Sequence, residues 1–138
     1  MEPLNEYITG RIRIDNIKPK FPINGTLNDI INFLESNGFK ESPFKSGRDI
    51  FPLFNGKSTK QYILNRDIYN RLWFADTSNG PISGNNPIFY IKSDTHNKKS
   101  TQHEFSCFNN NDYGSGSVNL ISQQEFANDL NKYFGWEV

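Results

Sequence analysis

The chain has one cysteine, Cys107, in 138 residues. No internal disulfide is possible, which argues against a disulfide-framed secreted domain and fits a reducing compartment. No apolar run approaches the ~18 residues that a membrane-spanning helix needs. The first residues, Met1 to Glu6, offer neither a basic stretch nor an apolar stretch, so they do not read as a secretion signal. Charge of one sign is also missing: fifteen basic residues balance fifteen acidic ones. A duplex-DNA binder usually carries a basic excess or stripe, so nucleic acid is disfavoured as a partner. With no span and no leader, the expected location is cytoplasmic.

Apolar residues are scarce at 35%, but aromatics reach 14% and include twelve Phe. Each buried ring removes about 150–250 Å² from water, so rings must supply much of the core. Asn is abundant, nineteen in all. That suits a surface rich in turns, and AT-rich coding produces it too. The length fits a single domain over residues 1–138, large enough to fold without a staple.

Periodicity predicts an α+β fold: a central antiparallel sheet of about five strands with two amphipathic helices. In residues 7–14, Ile8, Ile12 and Ile14 alternate with Arg11 and Arg13, the pattern of a half-buried strand. Pro19, Pro22 and Gly25 break regular structure. Leu27, Ile30, Ile31 and Leu34 mark one face of a helix over 27–37. Thr26 and Asp29 form an approximate capping box, and Gly38 provides the left-handed stop. Residues 39–60 read as a loop-rich stretch with one short strand near Ile50–Phe54. Further strands are expected at Tyr62–Leu64, 68–75, 88–92 and His103–Phe108. The 68–75 segment is apolar on both faces, as a central strand covered on both sides would be.

Two connections are long and polar, 76–87 and 109–116. The second is expected to join His103–Phe108 to a strand at Ser117–Ile121 in a hairpin. A second helix over 123–134 has a strict capping box, Ser122 to Glu125, and a staple pair, Ile121 and Phe126. Phe126, Ala127, Leu130, Tyr133 and Phe134 line one face. Gly135 ends the helix, and Trp136 is expected to fold back onto the core.

Motifs that carry chemistry are few. His96 and His103 are the only histidines. With Glu104, Arg11 or Arg71 they offer a weak ribonuclease-like set, which needs a base, an acid and a cation in mutual reach. His103 and Cys107 share a strand face with Phe105 between them, but no third or fourth ligand at recognisable spacing completes a metal site. Gly114-Ser-Gly116 lacks both the Lys and the strand–turn–helix context of a phosphate loop. No cofactor and no metal is therefore expected. Arg11, Arg13, Tyr69, Arg71 and Trp73 could form a basic–aromatic surface for single strands, although neutral overall charge gives little counterion-release affinity.

The size, the scarcity of cysteine, the lack of catalytic motifs and the AT-biased composition resemble the small cytoplasmic immunity proteins of contact-dependent inhibition and other polymorphic toxin systems in bacteria. The resemblance implies a protein-binding inhibitor, not an enzyme, that neutralises a cognate toxin domain in a one-to-one complex blocking its active site. Arg71, Trp73, Asn79, Asn85, Asn110 and Tyr113 are the partner-binding candidates, since interfaces favour Arg and aromatic anchors and loops on rigid sheets are frequent binding sites. A monomer or weak homodimer is expected. A nuclease-type effector using His96 and His103, and a phage-type or accessory nucleic-acid-binding protein, are the other readings.

Overall fold

A computed structural model describes residues 17–42, 59–66, 70–78, 86–93, 99–108 and 119–138. Five strands form one sheet in the order β1-β2-β3-β4-β5. They are β1 (Lys40–Glu41), β2 (Lys60–Arg66), β3 (Asn70–Asp76), β4 (Ile88–Ser93) and β5 (His103–Phe108). The helices are α1 (Leu27–Ser36) and α2 (Gln123–Phe134). The α+β class, central sheet and two helices are as the periodicity predicts.

The sheet is mixed, where an antiparallel one was expected. β2 to β5 are antiparallel neighbours, but β1 runs parallel to β2, with Lys40 opposite Gln61 and Glu41 opposite Tyr62. Parallel neighbours need a crossover of a dozen or more residues. The stretch between Ser42 and Thr59, expected only to be loop-rich, is long enough to carry the chain back to the end where β1 began. The expected strands at 7–14 and near Ile50–Phe54 lie outside the described residues. Among the described residues the expected Ser117–Ile121 strand reduces to one antiparallel bridge, Ile121 to Phe105.

Both helices start from complete capping boxes. The Thr26 hydroxyl accepts from the Asp29 amide at 3.1 Å, and the Asp29 carboxylate accepts from the Thr26 amide at 3.0 Å. In α2 the Ser122 amide donates to Glu125 and the Glu125 amide to Ser122, each at 3.1 Å. Each box satisfies two amides that a helix start would otherwise leave open. Helix α1 stops at Ser36 with Asn37 as its cap, and Gly38 follows at φ 90°. Helix α2 ends on Gly135 at φ 72°, a left-handed conformation that glycine adopts at little cost.

The helices cover one face of the sheet. Ile30 and Leu34 of α1 and Phe126 and Leu130 of α2 are fully buried against Tyr62, Leu64, Leu72, Phe74, Phe89, Ile91 and Phe105. Trp136 does fold back. It stacks on Phe134 at 4.3 Å and on Phe21 at 6.0 Å between ring centroids. The pleat sends alternate residues to the other face, where Ile63, Trp73, Ala75, Ile88, Tyr90 and Phe108 form a second buried cluster. Leu72 to Ala75 are all buried, so β3 is covered on both sides as its sequence predicts. Among the described residues no helix is long and apolar enough to cross a membrane.

Candidate functional site

β4 and β5 bring Ser93 and His103 together as cross-strand partners. The His103 ring points to the helix-covered face, as do Phe105 and Cys107 two and four residues on. Its Nε2 lies 2.8 Å from the Gly25 carbonyl oxygen, and its Nδ1 lies 3.1 Å from the Ser93 hydroxyl. A carbonyl can only accept, so Nε2 carries the proton. In the neutral ring Nδ1 is then the acceptor for the Ser93 hydroxyl. Both nitrogens are thus turned toward protein groups. Glu104 is exposed on the opposite face, and His96 lies outside the described residues.

The turn that His103 grips is tightly built. The Gly25 amide donates to the Pro22 carbonyl at 2.9 Å. A Cβ at Gly25 would sit 3.0 Å from Asp29 Cβ and 3.1 Å from both the Asp29 carboxylate and the Pro22 carbonyl. The neighbouring Asn24 side chain accepts from Gln123 at 3.0 Å, so the starts of α1 and α2 are joined beside this turn.

Further along the same face, half-buried Cys107 donates a hydrogen bond to Asp129 of α2. Burial pushes the Asp129 carboxyl above its ordinary value. The Cys107 thiol and Lys132 pull it down, and Glu125 pushes it up further. Desolvation leads because a charged carboxylate loses water there. Among the described residues no group of three or more His, Cys, Asp or Glu side chains is placed to hold a metal.

On the face away from the helices, the register sets Asn65, Arg71, Lys92 and Glu104 in one row across β2 to β5. Asn65 is buried, Arg71 and Lys92 are half-buried, and Glu104 is exposed. The next row holds Ile63, Trp73, Tyr90 and Ser106, with the Trp73 and Tyr90 rings 4.2 Å apart. Arg71 and Trp73 are therefore brought together on β3, with Trp73 buried inside the second cluster. Asn79, Asn85, Asn110 and Tyr113, like Arg11, Arg13 and Tyr69, lie outside the described residues.

The strand ends that carry the two long polar connections lie at one end of the sheet. Lys60 pairs with Asp76, and Ile88 pairs with Phe108. The chain thus leaves β3, re-joins β4 and leaves β5 at the same end. The His103–Gly25 contact is at the other end, where Asn70 pairs with Ser93.

Ser93, Gly25 and Asp129 were not singled out by sequence. Their importance comes from partners distant in the chain, and no local pattern announces it. Gly25 showed only as a breaker of regular structure, and Asp129 only as a residue beside the apolar stripe of α2, one position before Leu130. Comparison with family models, with curated proteins and with solved structures finds no match.

Proposed function

We propose that this chain is a protein-binding inhibitor of the immunity type, which neutralises a cognate bacterial toxin in the cytoplasm through a one-to-one complex that blocks the toxin's active site. The observation that supports it best is the shared sheet end of the connections after β3 and after β5. A rigid sheet with polar connections at one end is a common way to present binding residues. Those connections hold Asn79, Asn85, Asn110 and Tyr113. The bonds made by His103 also favour an inhibitor over a histidine-based nuclease, because a general acid or base needs a ring nitrogen facing its substrate.

The test is co-expression of the tagged chain with the product of the gene immediately upstream, followed by size-exclusion chromatography and intact mass. A stable one-to-one complex, with relief of the neighbour's toxicity, is the expected result. A harmless neighbour that does not co-elute removes the reading.

A further inference from the structure

We infer that His103 is a conformational latch, held as the Nε2–H tautomer, that pins the turn leading into α1 to the β4–β5 hairpin. The inference stands apart from the identity of any partner. One ring nitrogen donates to the Gly25 carbonyl at 2.8 Å and the other accepts from Ser93 at 3.1 Å. The first of these bonds ties the turn before α1 to β5, and the second braces the ring against Ser93, its cross-strand partner on β4.

The geometry specifies the ring rather than merely tolerating it. Ser93 is buried, so its hydroxyl needs an internal partner, and Nδ1 supplies one. A side chain at Gly25 would press on Asp29 and Pro22, and the Gly25 amide is bonded to the Pro22 carbonyl, so the turn that presents the Gly25 carbonyl is tightly built. His103 also packs edge-on against Phe105 at 6.1 Å between centroids, which holds the ring plane toward both partners.

The turn it grips leads directly to the Thr26–Asp29 capping box. At its other side the same segment is tied to the chain terminus: the Phe21 amide donates to the Glu137 carbonyl at 2.6 Å and the Glu137 amide to the Pro19 carbonyl at 3.0 Å. Between the two ties Phe21 and Ile23 are buried in the core. Residues 19–25 thus form a strap across the helix-covered face, fastened by the C-terminal segment at one end and by His103 at the other.

The test combines tautomer assignment by long-range proton–nitrogen NMR with amide hydrogen exchange on three forms: the native chain, His103→Phe and His103→Gln. Phe keeps the ring and loses both nitrogens. Gln keeps an amide donor that reaches toward Gly25. The neutral native ring is expected to show its proton on Nε2. In His103→Phe the Gly25 amide is expected to exchange about tenfold faster or more, the scale of one net hydrogen bond, while the β3 amides of Leu72 and Phe74 keep their native order of protection. His103→Gln is expected to recover most of the Gly25 protection. A proton on Nδ1 of the neutral native ring, or native Gly25 exchange in His103→Phe, overturns the latch. The tautomer is read on the native chain, so a proton on Nδ1 overturns the latch even where His103→Phe does not fold.

Discussion

Phe21 and Trp136 stack with 6.0 Å between centroids and 11° between planes, joining the first described strap to the last residues of the chain. Trp136 also meets Phe33 edge-on at 5.0 Å and Phe134 face-on at 4.3 Å. It is 5% exposed and closes the end of the aromatic core. Trp136→Ala is expected to cost about 3–5 kcal/mol, the range for truncating a large buried ring. Trp136→Phe should cost clearly less. Urea unfolding of both variants measures this, and equal losses would show that ring volume is not what holds this end.

The two capping boxes should contribute separately. Thr26→Ala and Ser122→Ala each remove the hydroxyl that accepts from an N3 amide. Each is expected to destabilise by about 1 kcal/mol. The boxes lie on different helices, so the double variant should show the sum within about 0.5 kcal/mol. A strongly non-additive result in chemical denaturation would mean the two helix starts are coupled through the Asn24–Gln123 bond.

Space beside Gly25 is tight. A methyl group there meets Asp29 Cβ at 3.0 Å and the Pro22 carbonyl at 3.1 Å. Gly25→Ala should therefore destabilise by about 1–3 kcal/mol, as overpacking does. The loss should be smaller in an Asp29→Gly background, which removes one of the two obstructions. An unaltered midpoint in thermal unfolding of Gly25→Ala would contradict the crowding.

Asp129 sets a direction for pH dependence. Its folded carboxyl titrates above the ordinary 3.8 because burial disfavours the charge. The folded chain then binds this proton more tightly than the unfolded one. The stability from this site is fully present below the ordinary value and is lost as pH rises through the raised folded value. Asp129→Asn should gain on the native chain as pH increases from about 3 to about 7. Stability curves of the two across that range test it, and a widening advantage for the native chain would reverse the sign.

If the proposed inhibitor reading holds, Asn110→Ala together with Tyr113→Ala should weaken binding to the toxin at least about tenfold. Gln124→Ala should leave affinity unchanged, since this exposed residue of α2 lies on the helical layer and is engaged with Asn128 at 3.0 Å. Calorimetric titration of the purified pair separates the two outcomes, and a loss confined to Gln124→Ala would move the interface to α2.

Much of the architecture was legible because its signals are local. Ser122 and Glu125 mark a helix start through bonds three residues apart. Leu27, Ile30, Ile31 and Leu34 announce a buried stripe by spacing alone. The apolar alternation of β3 on both faces foretold a covered central strand. β1 was not legible: at two residues it is too short for a period, and its parallel pairing depends on where a long connection returns. The strand pair β2–β3 extends past the expected Tyr62–Leu64 core to Lys60 and Arg66, because hydrogen bonding to a neighbour continues where the apolar pattern has stopped.

The candidate residues divide in the same way. His103 was visible as one of two histidines, yet its hydrogen-bond partners were not, since Gly25 and Ser93 become its neighbours only when α1 and β4 are in place. Arg71 and Trp73 could be put on one face by the period of two, but the burial of Trp73 in a second cluster required Ile63, Tyr90 and Phe108 from three other strands.

The sequence by itself determined the class of fold, both helix starts and stops, and the dominance of rings in the core, because caps, periodicity and residue volume act over a few neighbours. Only the tertiary structure decided the parallel edge strand, the strap fastened by His103 and Glu137, and the raised Asp129 carboxyl. Those depend on groups far apart in the chain being brought within hydrogen-bonding distance and out of water, and no local run of residues encodes that encounter.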